Sequence, residues 1–85
     1  MNKHYVVTLS MADGMENTIT VESVHHTEEA AKASFAKVVE KWRSTAGALG
    51  YEIIDDSDTC FNAAECGNYD AQHIMIFIAD VTNEE

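Results

Sequence analysis

The sequence predicts an α+β fold in which a four-stranded antiparallel sheet, with the chain order ββαββ, carries one long helix on one face. Segments near both ends of the chain alternate apolar and polar residues, which is typical of strands. Between them, apolar residues recur at steps of three and four, which is typical of a helix. The 85 residues, 46% of them apolar, predict one domain over residues 1–85 with one modest core.

The first two strands are predicted over residues of about 4–11 and 15–24. In the first segment every second residue from Tyr5 to Met11 is apolar, and the second segment is rich in β-branched residues. Between them, Ala12-Asp13-Gly14 is a turn signal. The two segments therefore form a predicted hairpin.

Two registers are open for this hairpin. A two-residue turn at Asp13-Gly14 would place Val7 opposite Thr20, whereas a three-residue loop with Gly14 in the left-handed conformation would place Val7 opposite Ile19. A slip of one residue moves every side chain to the other face of the sheet. We favour the second register because it pairs apolar with apolar residues.

The helix is predicted over residues of about 28–46. Thr27 is a good N-cap, and Glu28 and Glu29 occupy the first turn, where the helix dipole favours acidic residues. Gly47 stands where a C-terminal stop belongs. The apolar stripe expected to pack on the sheet consists of Ala31, Phe35, Val38, Trp42 and Ala46.

The last two strands are predicted over residues of about 50–55 and 72–81, joined by a polar connection over 56–70 with a helical turn around 62–65. The last strand is apolar on both faces, which is typical of a strand in the middle of a sheet that is covered on both sides. One helix covers one face, so the 56–70 connection, a second subunit or a partner protein would cover the other. That second face is predicted to carry Val6, Val24 and one row of the last strand, mixed with Thr8, Thr18 and Thr20.

Charge is unevenly distributed along the chain. There are 15 Asp and Glu residues against 5 Lys and Arg, a net charge of −10. The predicted helix holds four basic and three acidic residues. The rest of the chain holds twelve acidic residues and one basic residue, Lys3. Nucleic acids and anionic membranes attract basic proteins, so this charge argues against direct binding to either. Two interpretations remain open: the acidic surface only keeps the protein soluble, or it binds a basic surface of a partner protein.

The candidate binding site is the acidic stretch between the third and fourth predicted strands, with the tyrosines that flank it. Acidic side chains suit a basic partner, and aromatic side chains often carry interface energy. On an extended segment, Asp56 and Asp58 would lie about 6.7 Å apart, of the order of the spacing between neighbouring nucleic-acid phosphates. The candidate partner-binding residues are Asp55, Asp56, Asp58, Glu65, Asp70, Tyr51 and Tyr69.

These features favour a non-catalytic acidic protein that occupies a basic surface of a partner, for example the nucleic-acid-binding surface of a complex. In size and charge the chain is similar to the small phage-encoded inhibitors of bacterial defence, including anti-CRISPR proteins. This is a comparison of class and not of motif. A nucleic-acid mimic of this kind inhibits its partner by filling the groove that the nucleic acid needs.

Two other functions compete with this interpretation. The uncovered sheet face would suit a homodimeric accessory or regulatory protein. A small metal- or thiol-dependent protein would use Cys60, Cys66 and His73, but five residues separate the two cysteines and structural zinc sites usually have closer pairs. We therefore expect two reduced thiols, no resident metal and no cofactor.

The sequence carries no catalytic signature, so we expect no enzyme activity. A calcium loop that starts at Asp56 would need Gly where Phe61 stands and Glu where Gly67 stands. The longest apolar run, Ile74 to Ala79, is far shorter than the about 20 residues of a membrane span. The first residues do not resemble a signal peptide, and a cytoplasmic location is expected.

Overall fold

The computed structural model describes residues 2–14, 16–67 and 72–83. The elements in these ranges are β1 (Asn2–Asp13), β2 (Glu16–His25), α1 (Glu28–Leu49), β3 (Glu52–Asp56), β4 (Cys60–Ala64) and β5 (Gln72–Asn83). In this part of the chain the five strands form one antiparallel sheet in the spatial order β2-β1-β5-β4-β3, and α1 packs on one face of it. The predicted α+β class, with one helix on an antiparallel sheet, is confirmed.

The four-stranded ββαββ prediction is wrong because β4 lies inside the region predicted to be a polar connection. β4 pairs with β3 on one side and with β5 on the other. Phe61 and Ala63 in this strand are fully buried. The helical turn predicted around 62–65 is also wrong, since residues 62–64 are extended. A strand of five residues between polar turns is too short for alternation to distinguish it from a loop.

The hairpin of β1 and β2 adopts neither of the predicted registers. Asp13 pairs with Glu16, so only two residues connect the strands, and Gly14 has the expected left-handed backbone with φ of 69°. A bulge at Glu22 then shifts the register by one residue. It places Ser23 opposite Val7 on the helix side, where the Ser23 and Ser34 hydroxyls share a hydrogen bond of 2.8 Å.

The helix begins as predicted and ends later than predicted. The Thr27 hydroxyl accepts a hydrogen bond of 3.2 Å from the Ala30 N–H, which confirms the N-cap. Gly47 lies within α1, and the helix ends at Gly50 with φ of 75°. The Gly50 N–H donates to the Gly47 carbonyl and the Tyr51 N–H donates to the Ala46 carbonyl, which is a Schellman motif.

The core lies between α1 and one face of the sheet. Odd-numbered residues of β1 and even-numbered residues of β5 point to this face because side chains alternate along a strand. The core consists of Val7, Leu9, Ala31, Phe35, Val39, Ala46, Phe61, Ala63, Ile74 and Ile76. Val38 and Trp42 of the predicted stripe are partly buried and pack against it.

The opposite face of the sheet is called the open face here, because no other element of the described chain covers it. Val6, Val24, Thr8 and one row of β5 lie on this face as predicted. The prediction is wrong for Thr18 and Thr20, because the observed register places them on the helix side and turns Ile19 and Val21 outward. Ile19 is 75% exposed and Val21 is 59% exposed. The apolar residues of β1, β2 and β5 whose side chains lie on the open face include Val6, Ile19, Val21, Val24, Met75, Phe77, Ala79 and Val81.

Candidate functional site

The predicted acidic site maps to one edge of the sheet. Asp55 and Asp56 lie in β3, and Asp58 lies in the bend that leads into β4. Glu65 directly follows β4 and is exposed. Tyr69 and Asp70 lie outside the described residues. We call the exposed set of Glu52, Asp55, Asp56, Asp58 and Glu65 the acidic edge.

Asp56 is held by the helix. Both terminal nitrogens of Arg43 donate to the Asp56 carboxylate, at 2.8 and 3.0 Å, in the paired geometry that guanidinium and carboxylate groups favour. These hydrogen bonds lower the pKa of Asp56 below its ordinary value of 3.8 and raise the pKa of Arg43. The Arg43 guanidinium also lies 5.2 Å from the centre of the Phe61 ring. Asp56 therefore joins the end of β3 to α1.

Asp58 makes a second link to the helix. Lys32 Nζ lies 3.3 Å from Asp58 and 3.0 Å from Glu28, and both carboxylates raise the pKa of Lys32. The extended spacing expected for Asp56 and Asp58 does not hold, because β3 ends at Asp56 and the chain bends over residues 57–59. Two of the three predicted aspartates are thus paired with cations of the same chain.

Asp55 and Glu52 point away from the helix. Asp55 is opposite Asn62 and Glu52 is opposite Ala64, and these two β4 residues are two positions apart on the open face. The bulge at Ile54 causes this, since residues 52 and 55 of a regular strand would face opposite sides. Asp55 forms no ion pair within the described chain. Glu52 was missed at the sequence level, although its place in an acidic, exposed strand was a usable signal.

Tyr51 has a structural role. Its hydroxyl donates a hydrogen bond of 2.9 Å to Gln72 Oε1, and its ring packs against the core directly after the helix end. The side chain is half-buried and links α1 to β5. These contacts give Tyr51 a structural role, and its part in partner binding stays a prediction.

The candidate metal ligands are dispersed. Cys60 lies opposite Phe77 and His73 lies opposite Ala64, so they are about 13 Å apart along the sheet. In the described ranges, no group of three or more His, Cys, Asp and Glu residues could hold a metal ion. Cys60 and Cys66 are free thiols. Burial, together with the charge of Asp55, raises the pKa of Cys60, so its reactive thiolate form is disfavoured.

Grooves beside the helix offer little room for a small ligand. One, of about 200 Å³, lies between α1 and the bend after β3, and its walls include Phe35, Val39 and the Arg43–Asp56 pair. Typical ligand pockets enclose about 300–1,000 Å³. This groove is therefore better explained as the seam between helix and sheet.

The Asp56 ion pair predicts a pH-dependent difference in stability. Because its pKa is lowered in the folded state, Asp56 stabilises the fold above about pH 4, and this contribution disappears as pH falls through the folded-state pKa. We expect Asp56→Asn to have a lower Tm than the wild type at pH 7, and we expect this difference to disappear as the pH falls through the folded-state pKa of Asp56. Thermal unfolding across this range measures the difference.

Asp55→Asn is the matched control for this prediction, since it removes the same charge one residue away without breaking an ion pair. It is expected to leave Tm unchanged or to raise it at pH 7, because the chain already carries a net charge of −10. Equal behaviour of the two variants would mean that the Arg43–Asp56 pair does not stabilise the fold.

Fold and site together define an α+β protein whose sheet has an acidic edge and an open apolar face. Comparison of the chain with protein-family models, curated proteins and solved structures finds no match. The helix of the described residues is not apolar enough to cross a membrane.

Proposed function

We propose that this chain is a non-catalytic protein that binds a basic surface of a partner protein through its acidic edge. The observation that carries the proposal is the placement of Glu52 and Asp55 side by side on the exposed strand β3. The basic residues of the chain are Lys3 and four residues of α1, so the sheet has an excess of negative charge. The negative electrostatic potential that results from this excess increases the rate of encounter with a positively charged protein.

The spacing of these two carboxylates supports a nucleic-acid-binding protein as the partner. Their partners on β4 are two residues apart, so the backbone positions that carry the two carboxylates are about 6.7 Å apart along the strand. This distance is of the order of the spacing between neighbouring phosphates. Glu52 and Asp55 thus take the role that the sequence assigned to Asp56 and Asp58. Inhibition would then follow from occupation of the partner's nucleic-acid groove.

Affinity capture tests this proposal. The tagged chain is used to capture proteins from a nuclease-treated lysate of the cells in which it occurs, at about 50 mM and 500 mM salt. The expected result is a basic partner that is retained only at low salt. The double variant Glu52→Gln, Asp55→Asn should bind that partner about two- to thirtyfold more weakly, since exposed charge pairs contribute about 0.2–1 kcal/mol each.

The double variant Glu29→Gln, Glu40→Gln is the matched control. It removes the same number of charges from exposed positions of α1 and is expected to bind like the wild type. An equal loss in both double variants would show an effect of net charge alone. That result, or binding insensitive to salt, would contradict the proposal.

A further inference from the structure

The open face carries exposed apolar side chains on three neighbouring strands, although Thr8 and Ser10 of β1 lie among them. Val24 and Val81 are 55% and 43% exposed, and Ile19 and Val21 are more exposed still. Exposed apolar patches of this kind on small proteins usually mark an interaction surface. The apolar patch consists of Val6, Ile19, Val21, Val24, Phe77 and Val81, on β2, β1 and β5.

The register of the first hairpin is informative about this patch. A register that pairs Ile19 with Val7 would turn Ile19 toward the helix, yet the chain adopts one that turns it outward. The register of a strand is strongly specified where one of its faces is buried. If the open face is buried in an assembly, we expect the register that directs a row of β-branched apolar residues toward that face. The chain adopts this register.

The patch lies on the part of the sheet that is poorest in charge. In the described residues, the outward positions of β1, β2 and β5 hold no Lys, Arg, Asp or Glu, apart from Glu22 in the bulge. A basic partner gains no charge attraction there. A second copy of the chain brings an equally uncharged surface, so its approach at this face avoids the repulsion that a net charge of −10 causes elsewhere.

We propose that a second copy of this chain covers the apolar patch and forms a symmetric dimer. A two-fold axis that runs along the strands between β1 and β5 places β1 of each copy over β5 of the other. β3 is then the outermost strand on each side and lies beyond the contact. The acidic edges of the two copies stay apart, and both remain accessible.

The size of the face fits a stable dimer. The two longer dimensions of the molecule are 43 and 23 Å. The four strands within the contact, spaced about 4.8 Å apart, take up at most about 800 Å² of this broad face, because β3 lies outside the contact. Each partner in a stable interface of standard size buries about 800 Å². The face therefore offers about the area that a stable dimer needs.

Sedimentation velocity of the whole chain between about 1 and 100 µM tests the proposal. The expected species has twice the monomer mass of 9.4 kDa. Val21→Glu and Val24→Glu should each raise the dimer dissociation constant at least tenfold, because they bury a carboxylate in the contact. Leu49→Glu is the matched control, since Leu49 is 56% exposed but lies at the end of α1, and this variant should remain dimeric.

A wild-type chain that is monomeric at 100 µM would overturn the proposal. So would a dimer dissociation constant that is unchanged in both Val21→Glu and Val24→Glu, or one that rises as much in Leu49→Glu as in the valine variants. Circular dichroism checks that each variant is folded, and Ile19→Glu replaces any variant that is not. The dimer should also persist at 1 M salt, and its loss there would contradict an apolar contact. Glu52→Gln with Asp55→Asn should stay dimeric, so failure of the proposed partner binding is distinguishable from failure of the dimer.

Discussion

Replacing Phe61 with alanine is expected to lower the free energy of unfolding by about 3–5 kcal/mol. Phe61 is fully buried in β4, opposite Ile76, and its ring also lies beneath the Arg43 guanidinium. Removing the ring leaves a cavity between α1 and the sheet that its neighbours fill only in part. Urea unfolding at a single protein concentration measures the change.

Ile54→Ala is the control for Phe61→Ala. Ile54 lies on the neighbouring strand β3 but is 45% exposed, so its truncation should cost less than about 1.5 kcal/mol. The comparison tests whether β4 exists, because a phenylalanine on a surface loop would be no more costly to truncate than Ile54. A loss below about 1 kcal/mol for Phe61→Ala would mean that residues 60–64 are not part of the sheet.

The same residues explain which parts of the fold were predictable. The long elements carry enough repeats of a period to be identified from the sequence, and the Thr27 cap is a local signal. β4 has only five residues and includes Ala63 and Ala64, whose small side chains carry little strand preference. Its identity depends on pairing with β3 and β5, which is a long-range effect that no local pattern contains.

The ion pairs of the acidic edge also depend on long-range contacts that no local sequence pattern contains. The sequence predicts that Arg43 pairs with Glu40 along the helix, since the two are three residues apart. In the fold, Arg43 binds Asp56 of β3 in a paired geometry. Which carboxylates remain outward thus depends on how the helix packs on the sheet. The excess of acidic residues was predictable, but the contribution of Glu52 depended on the bulge at Ile54.

The end of the helix gives a second prediction, in which two glycines respond with opposite signs. Gly47 lies in the last turns of α1 with open space where a Cβ would be placed, so Gly47→Ala should stabilise the protein by about 0.5–1 kcal/mol. Gly50 ends the helix in the left-handed region at φ of 75°. An L residue there is strained, so Gly50→Ala should destabilise by about 1–2 kcal/mol.

Thermal unfolding should separate the two variants clearly, since 1 kcal/mol corresponds to about 4–8 °C in a domain of this size. Neither site is crowded by a neighbouring side chain, so only the backbone conformation distinguishes them. The sequence alone places the stop at Gly47, which would reverse the two signs. The opposite result, in which Gly50→Ala is stabilised and Gly47→Ala is destabilised, would show that the helix ends at Gly47. It would also contradict the Schellman motif that orients Tyr51 toward β5.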